Sequence, residues 1–221
     1  MDIKLEDVIE LEDKLIKHEY GVGNFEILKG EKGIIVSAPH CIEQIRRGKI
    51  KQAETRTGTI AYYLQELIGC HAIFKTRFNE DDPNFTCNSK YRDALVKYIK
   101  TNSIKLLVDL HICSPKREAD VYLGEGYQED TPEMKIIEEA LKINFQKHHF
   151  DNIGHEKRFE AKFPYGVSAY IHDKCDIPTI QLEINWHDLE FNQENGANKF
   201  FRILDSLAKA LVEVEKKLAI Y

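Results

Sequence analysis

Three apolar runs along the chain end on polar groups. Ile34-Ile35-Val36 reads as a buried strand, and Ser37-Ala38-Pro39 stops it, because Pro39 has no N–H for a ladder. The next residue is His40. Residues 104–111 repeat the grammar, an apolar strand that closes on Asp109 and His111. In the third run, 179–185, Ile180, Leu182 and Ile184 alternate with Gln181, Glu183 and Asn185, so the three polar residues share one face.

The intervening segments alternate between helical and extended patterns. Leu5, Val8, Ile9, Leu15 and Ile16 predict an amphipathic helix over 5–17, ended by Gly21 and Gly23. Residues 24–28 read as an edge strand, and the turn 29–33 predicts a hairpin with the His40 strand. Residues 41–53 read as a polar surface loop next to the site of His40. A helix is expected from Glu54 to Gly69, with Ile60, Tyr63, Leu64, Leu67 and Ile68 on one face. Strand 71–76 and a loop over 77–88 follow, then a helix marked by Tyr91, Leu95, Tyr98 and Ile99. Residues 119–123 form a strand closed by Gly124 and Gly126. Thr131 caps a helix with Pro132 at its first position, running to about His149. Residues 151–168 read as a loop, with a short helix over 167–173, and Asn195-Gly196 precedes a final helix. This alternation predicts an α/β fold: a mixed, largely parallel sheet flanked by helices on both faces, in one domain over 1–221.

Composition narrows the function classes. A chain of 221 residues with 43% hydrophobic content suits one α/β domain. The net charge is −6, and the basic cluster Arg46-Arg47-Gly48-Lys49 is short, which argues against nucleic acid. No apolar segment approaches the roughly 18 residues of a membrane span. The first residues lack the apolar core of a signal peptide. Five cysteines without a Cys-x-x-Cys pair suit reduced thiols and a cytoplasmic setting. No phosphate loop or dinucleotide glycine pattern follows a strand.

The candidate chemistry is that of a metal hydrolase. A catalytic zinc takes three His or carboxylate ligands and keeps one position open. His40 and His111, at two strand ends, supply two. The third is Glu43, in His-x-x-Glu spacing, or Glu54, at a helix start. Asp109 shares a face with His111 and is expected to orient it. Glu183, on a polar strand face, is the candidate general base and proton shuttle. Arg77, which opens a polar loop after a strand, is expected to bind a substrate carboxylate, with an ion pair to Glu80, Asp81 or Asp82 as the alternative. Arg158, in the loop before Phe163-Pro164-Tyr165, is the second candidate. A cysteine hydrolase using Cys41 or Cys113 is a further alternative, as is a non-catalytic metal- or ligand-binding domain of the same fold.

Four of these pieces, in order over residues 34–190, resemble the N-formylglutamate amidohydrolase family, which is similar in fold to zinc carboxypeptidases and aspartoacylases. They are Ser37-Ala38-Pro39-His40, Glu54-x-x-Thr57, Asp109-Leu110-His111 and Gln181-x-Glu183-x-Asn185. The resemblance implies one zinc held by His40, Glu54 and His111, Glu183 as the base, and an N-acyl amino acid or short peptide as substrate. It favours Glu54 over Glu43 and makes 41–53 an insertion. The family's Asp-x-Asn-Arg segment is represented by Asp82-Pro83-Asn84, with Phe85 in place of Arg, and its Gly-Gly by Tyr165-Gly166-Val167. Both segments imply substrate contacts, from Asn84 and Tyr165.

Overall fold

The computed structural model describes residues 3–128, 130–192 and 195–219. Its strands are β1 (Phe25–Leu28), β2 (Ile34–Ala38), β3 (Gln44–Arg46), β4 (Lys49–Lys51), β5 (His71–Lys75), β6 (Leu106–Cys113), β7 (Val121–Gly124), β8 (Ile153–Gly154) and β9 (Thr179–Asn185). Its helices are α1 (Leu5–Ile16), α2 (Thr57–Ile68), α3 (Lys90–Thr101), α4 (Pro132–Lys147), α5 (Val167–Cys175) and α6 (Gly196–Lys217). Seven strands form one sheet in the order β1-β5-β2-β6-β9-β7-β8, while β3 and β4 pair apart from it. The central strands β5, β2, β6 and β9 run parallel; β1 and β7 are antiparallel to their inner neighbours. The sheet is therefore mixed and largely parallel, with helices on both faces.

Alternation along the strands divides the core into two. Ile34, Val36, Val108, Leu110, Ile180 and Leu182 pack with α1, α2, α4 and α6. The intervening residues Ile35, Ile73 and Leu107 pack with Tyr91, Leu95 and Ile99 of α3 and with Val167 and Ile171 of α5. This second face turns polar toward the carboxyl ends of the central strands. Ile35 is followed there by Ser37, Leu107 by Asp109 and His111, and Thr179 by Gln181 and Glu183. A ligand site at that end accords with the general rule for open α/β sheets.

Three expectations change. Residues 29–33 do not form a hairpin, because β5 lies between β1 and β2. Instead the turn packs on the end of α2, where Glu31 N–H and Lys32 N–H donate to Gly69 O. Gly30 passes so close that a Cβ there would lie 2.3 Å from the Gly69 and Cys70 carbonyl oxygens. Residues 41–53 hold the β3–β4 hairpin, turned through Arg47 and Gly48 with φ of 54° and 71°. The 151–168 segment contains β8 and a short 3-10 turn, Lys157–Phe159. Thr131 caps α4 as expected, accepting from Met134 N–H.

Candidate metal centre

His40 lies just past Pro39, beyond the carboxyl end of β2, and its ring is almost fully buried. His111 sits on β6, next to β2. The two imidazole centroids are 5.0 Å apart. Glu54 completes the group through a closed excursion of the chain. Its N–H donates to His40 O at 2.8 Å, so the residues between leave and return at one point. The Thr57 hydroxyl donates to Glu54 O at 2.7 Å. The helix begins at Thr57 rather than Glu54 because Arg56 takes a left-handed conformation, φ 76°. Glu12 of α1 holds that bend: it accepts Arg56 N–H at 2.9 Å and the Thr59 hydroxyl.

One ligand atom from each of His40, Glu54 and His111 falls within 4.8 Å of the other two. His40 Nδ1 is 3.1 Å from Glu54 Oε1, and His111 Nδ1 is 2.8 Å from Glu54 Oε2. The opposite ring nitrogens face carboxylates, His40 Nε2 on Asp82 Oδ1 at 2.9 Å and His111 Nε2 on Asp109 Oδ2 at 3.0 Å. With each Nε2 donating its hydrogen to the acid behind it, each Nδ1, the atom turned toward Glu54, is the ring nitrogen that would face an ion. Two neutral imidazoles and one carboxylate, each ring oriented from behind by an acid, fit a divalent ion of the zinc type. Burial opposes charge on His111, but Asp109 and Glu54 outweigh it and raise its pKa well above the usual histidine range. Burial also pushes Glu54 up, yet His40, His111 and Lys51 together hold it well below the carboxylate range. Lys51 Nζ donates to Glu54 Oε1 at 2.6 Å.

Glu183 is the register partner of His111 on β9. Its strand is internal, between β6 and β7, so its polar face lines a cleft rather than an exposed edge. Gln181 Nε2 donates to Glu183 Oε1 at 3.0 Å. Burial, reinforced by Glu54 and Asp109 and opposed by His111, pushes the Glu183 carboxyl up to about 7.

The cleft, of about 340 Å³, joins His40, Glu54, His111 and Glu183 to Asn84, Arg46, Lys51 and the 157–163 segment. Asn84 ties the cleft to α5: its Oδ1 accepts the first N–H of that helix, from Val167, at 2.7 Å, and its amide group lies beside the His111 ring. Arg158 lines the cleft with its side chain largely exposed. Arg77 is not among the described residues lining it, which corrects that expectation, while Tyr165 sits next to the cleft-lining Phe163 and Gly166. The Arg77 guanidinium is spent on the carbonyls of Tyr20, Gly21 and Thr76, where it ties down the chain after α1. The Tyr165 ring rests edge-on against Phe163, and its carbonyl accepts from buried Arg92. Glu43 lies outside the three-residue group. The Cys41 thiol donates to Lys75 O, and burial raises its pKa. Burial likewise pushes Cys113 up to about 12, so neither cysteine is a thiolate at neutral pH. Sequence reasoning missed Asp82, Lys51 and Arg46. Asp82 carried a local signal as the first residue of Asp82-Pro83-Asn84, and Arg46 as the first of the basic cluster 46–49.

No family model matches the chain, and no curated protein matches it in sequence. Solved structures do match in fold. An N-formylglutamate amidohydrolase from Ralstonia eutropha superposes with a TM-score of 0.64 at 11% identity, over 90% of this chain and 100% of that one. A bacteriophage poly-gamma-glutamate hydrolase gives 0.58 at 15% identity, over 92% and 94%. A metallo-carboxypeptidase from Burkholderia cenocepacia gives 0.52 at 11% identity, over 97% of this chain and 70% of that one. The chain thus has the carboxypeptidase-like fold, with its His–Glu–His group at the carboxyl end of the sheet.

Proposed function

We propose that the chain, acting as one domain, is a zinc-dependent hydrolase of amide bonds in an N-acyl amino acid or short peptide. The observation that carries this reading is the convergence of two imidazole Nδ1 atoms and a Glu54 oxygen beside the buried Glu183 carboxyl. His40, Glu54 and His111 would hold the ion, which supplies Lewis-acid polarisation of a carbonyl and lowers the pKa of water. Asp82 and Asp109 keep the two Nε2 hydrogens in place and so fix both rings. Gln181 occupies Glu183 Oε1. The other oxygen is left to take a proton from water and deliver it to the leaving amine.

The cleft wall suits an anionic substrate. Arg46, Lys51, Lys157, Arg158 and Lys162 line it against Glu54, Glu160 and Glu183, on a chain whose net charge is −6. Two of the similar structures are named for hydrolysis of glutamate derivatives, N-formylglutamate and poly-gamma-glutamate, and an acyl-glutamate or acidic peptide fits this wall. All five cysteines are free, which suits a reducing cytoplasmic setting. The test is metal analysis of purified protein with a hydrolysis screen of N-acyl amino acids, with and without chelator. About one zinc per chain and chelator-sensitive cleavage are expected. Cleavage that survives metal removal overturns the metal reading, and metal binding without any cleavage leaves a binding domain instead.

A further inference from the structure

The basic groups of the cleft reach it from two places, the 157–162 segment and the β3–β4 hairpin. They differ in how much of their charge the protein has already used. Lys51 spends its ammonium on Glu54. Arg158 is 59% exposed, and its Nε lies 3.9 Å from Glu156. Arg46 is held differently. Its Nε donates to Asp82 Oδ2 at 2.5 Å, the fully buried carboxylate whose other oxygen takes His40 Nε2. Its guanidinium carbon lies 5.5 Å from the centre of the Phe85 ring, and that of Arg47 lies 4.8 Å from the same ring. Among the described residues no hydrogen bond engages Arg46 Nη1 or Nη2, and the side chain is 35% exposed on the cleft wall.

We propose that Arg46 is a specificity-determining residue whose terminal guanidinium nitrogens grip a carboxylate of the substrate. This rests on the amide-hydrolase reading above. The Nε bond to Asp82 and the Phe85 face fix the plane and direction of the guanidinium. A fork ordered in this way, with two N–H-bearing nitrogens open to a cavity, matches the two oxygens of a carboxylate and loses little entropy on binding it. The hairpin that carries Arg46 is stapled at its base by the Glu54 N–H to His40 O bond, so the anion site is referenced to two of the three candidate ligands. Asp82 makes the link direct, since one carboxylate orients both His40 and Arg46. The ligand class is a free carboxylate, on the acyl or the amino acid part, close enough to the scissile amide to reach the His40 side of the site.

The test uses the zinc-loaded full chain and two probes, N-acetyl-L-glutamate and N-acetyl-L-glutamine amide, which share a backbone and differ in carboxylate charge. The readout is the ratio of kcat/KM for acid over amide. Arg46→Gln is expected to lower this ratio on the order of 10- to 100-fold, mainly through KM for the acid, and Arg46→Lys to restore part of it. Because the ratio compares two probes on one protein, a general loss of stability or of metal leaves it unmoved. Calorimetric binding of N-acetyl-L-glutamate to Glu183→Gln, with and without Arg46→Gln, reads the same contact without turnover. An unchanged ratio in Arg46→Gln, or equal binding in the single and double variants, overturns the assignment. Binding that depends on Arg46 in a chain with no hydrolysis of either probe sustains it and removes the hydrolase reading instead.

Discussion

His111 and Glu183 are register partners on the adjacent parallel strands β6 and β9. Side chains directly opposite one another in a sheet project to the same face. The strand pairing itself therefore sets the distance between a candidate ligand and the candidate base, with no loop in between. Glu183→Gln keeps the shape of the side chain and removes its capacity to take a proton. The variant is expected to retain its metal and its fold while turnover falls about 10²- to 10⁴-fold. Near-normal turnover by metal-replete Glu183→Gln would end the assignment.

The same geometry separates the two candidate carboxylate ligands. Glu54 has oxygens against both Nδ1 atoms, whereas Glu43 lies outside the group. Ala at His40, Glu54 or His111 is expected to strip the metal, and Ala at Glu43 to leave occupancy unchanged, as read by metal analysis after dialysis. Loss of metal from Glu43→Ala with full occupancy in Glu54→Ala would reverse the ligand choice.

What was legible in the sequence was local. Pro39 stops a strand and presents His40; the alternation of 179–185 gives Glu183 its face; Thr131-Pro132 opens α4. What was not legible depends on partners remote in sequence. The 29–33 turn has hairpin composition, but β5 displaces β2 from β1. Glu54 reads as a helix start, yet Glu12, from a different helix, bends the chain at Arg56 and delays the helix to Thr57. Long cationic side chains are the hardest case. Spacing does not aim a guanidinium, so Arg77 turns to backbone carbonyls while Arg46, in a segment read as a surface loop beside the site, lines the cleft.

Glu12 gives the next prediction. It is buried, and it satisfies the Arg56 N–H and the Thr59 hydroxyl at the start of α2. Glu12→Ala leaves both donors without their acceptor, which costs on the order of 2–3 kcal/mol. Denaturant unfolding should show that loss. Because the bend carries Glu54, metal affinity should weaken with it, whereas a purely local role predicts lower stability at unchanged affinity.

Stability of the metal-free chain should depend on pH through Glu183. Its folded pKa is raised by burial to about 7, from an ordinary 4.5. A raised carboxyl favours the folded state while protonated. Its contribution is fully present below the unfolded pKa and is lost as pH rises through the folded one. Between about pH 5 and pH 8 the metal-free wild type should therefore lose on the order of 1–3 kcal/mol relative to Glu183→Gln, which has no such proton. Parallel stability curves for the two proteins over that range would contradict the assigned environment.

Asp82 and Asp109 give the last prediction, because they do the same task in different company. Each takes the Nε2 hydrogen of one histidine and so leaves Nδ1 free for an ion. An amide in place of either acid still offers a carbonyl to Nε2–H, but it removes the charge that makes the imidazole a better ligand. Asp82→Asn and Asp109→Asn are each expected to weaken metal binding about 10- to 100-fold in competition with a chelator. Only Asp82 also accepts from Arg46, and the bonds from His40 and Arg46 outweigh burial to hold it well below the carboxylate range. Asp82→Asn should thus disturb both the ion and the anion site, raising KM for an acidic substrate even at saturating zinc. Asp109→Asn, which has no arginine partner, should act through the metal alone and be rescued by added zinc. If zinc rescues the two variants equally, Asp82 does not couple His40 to Arg46.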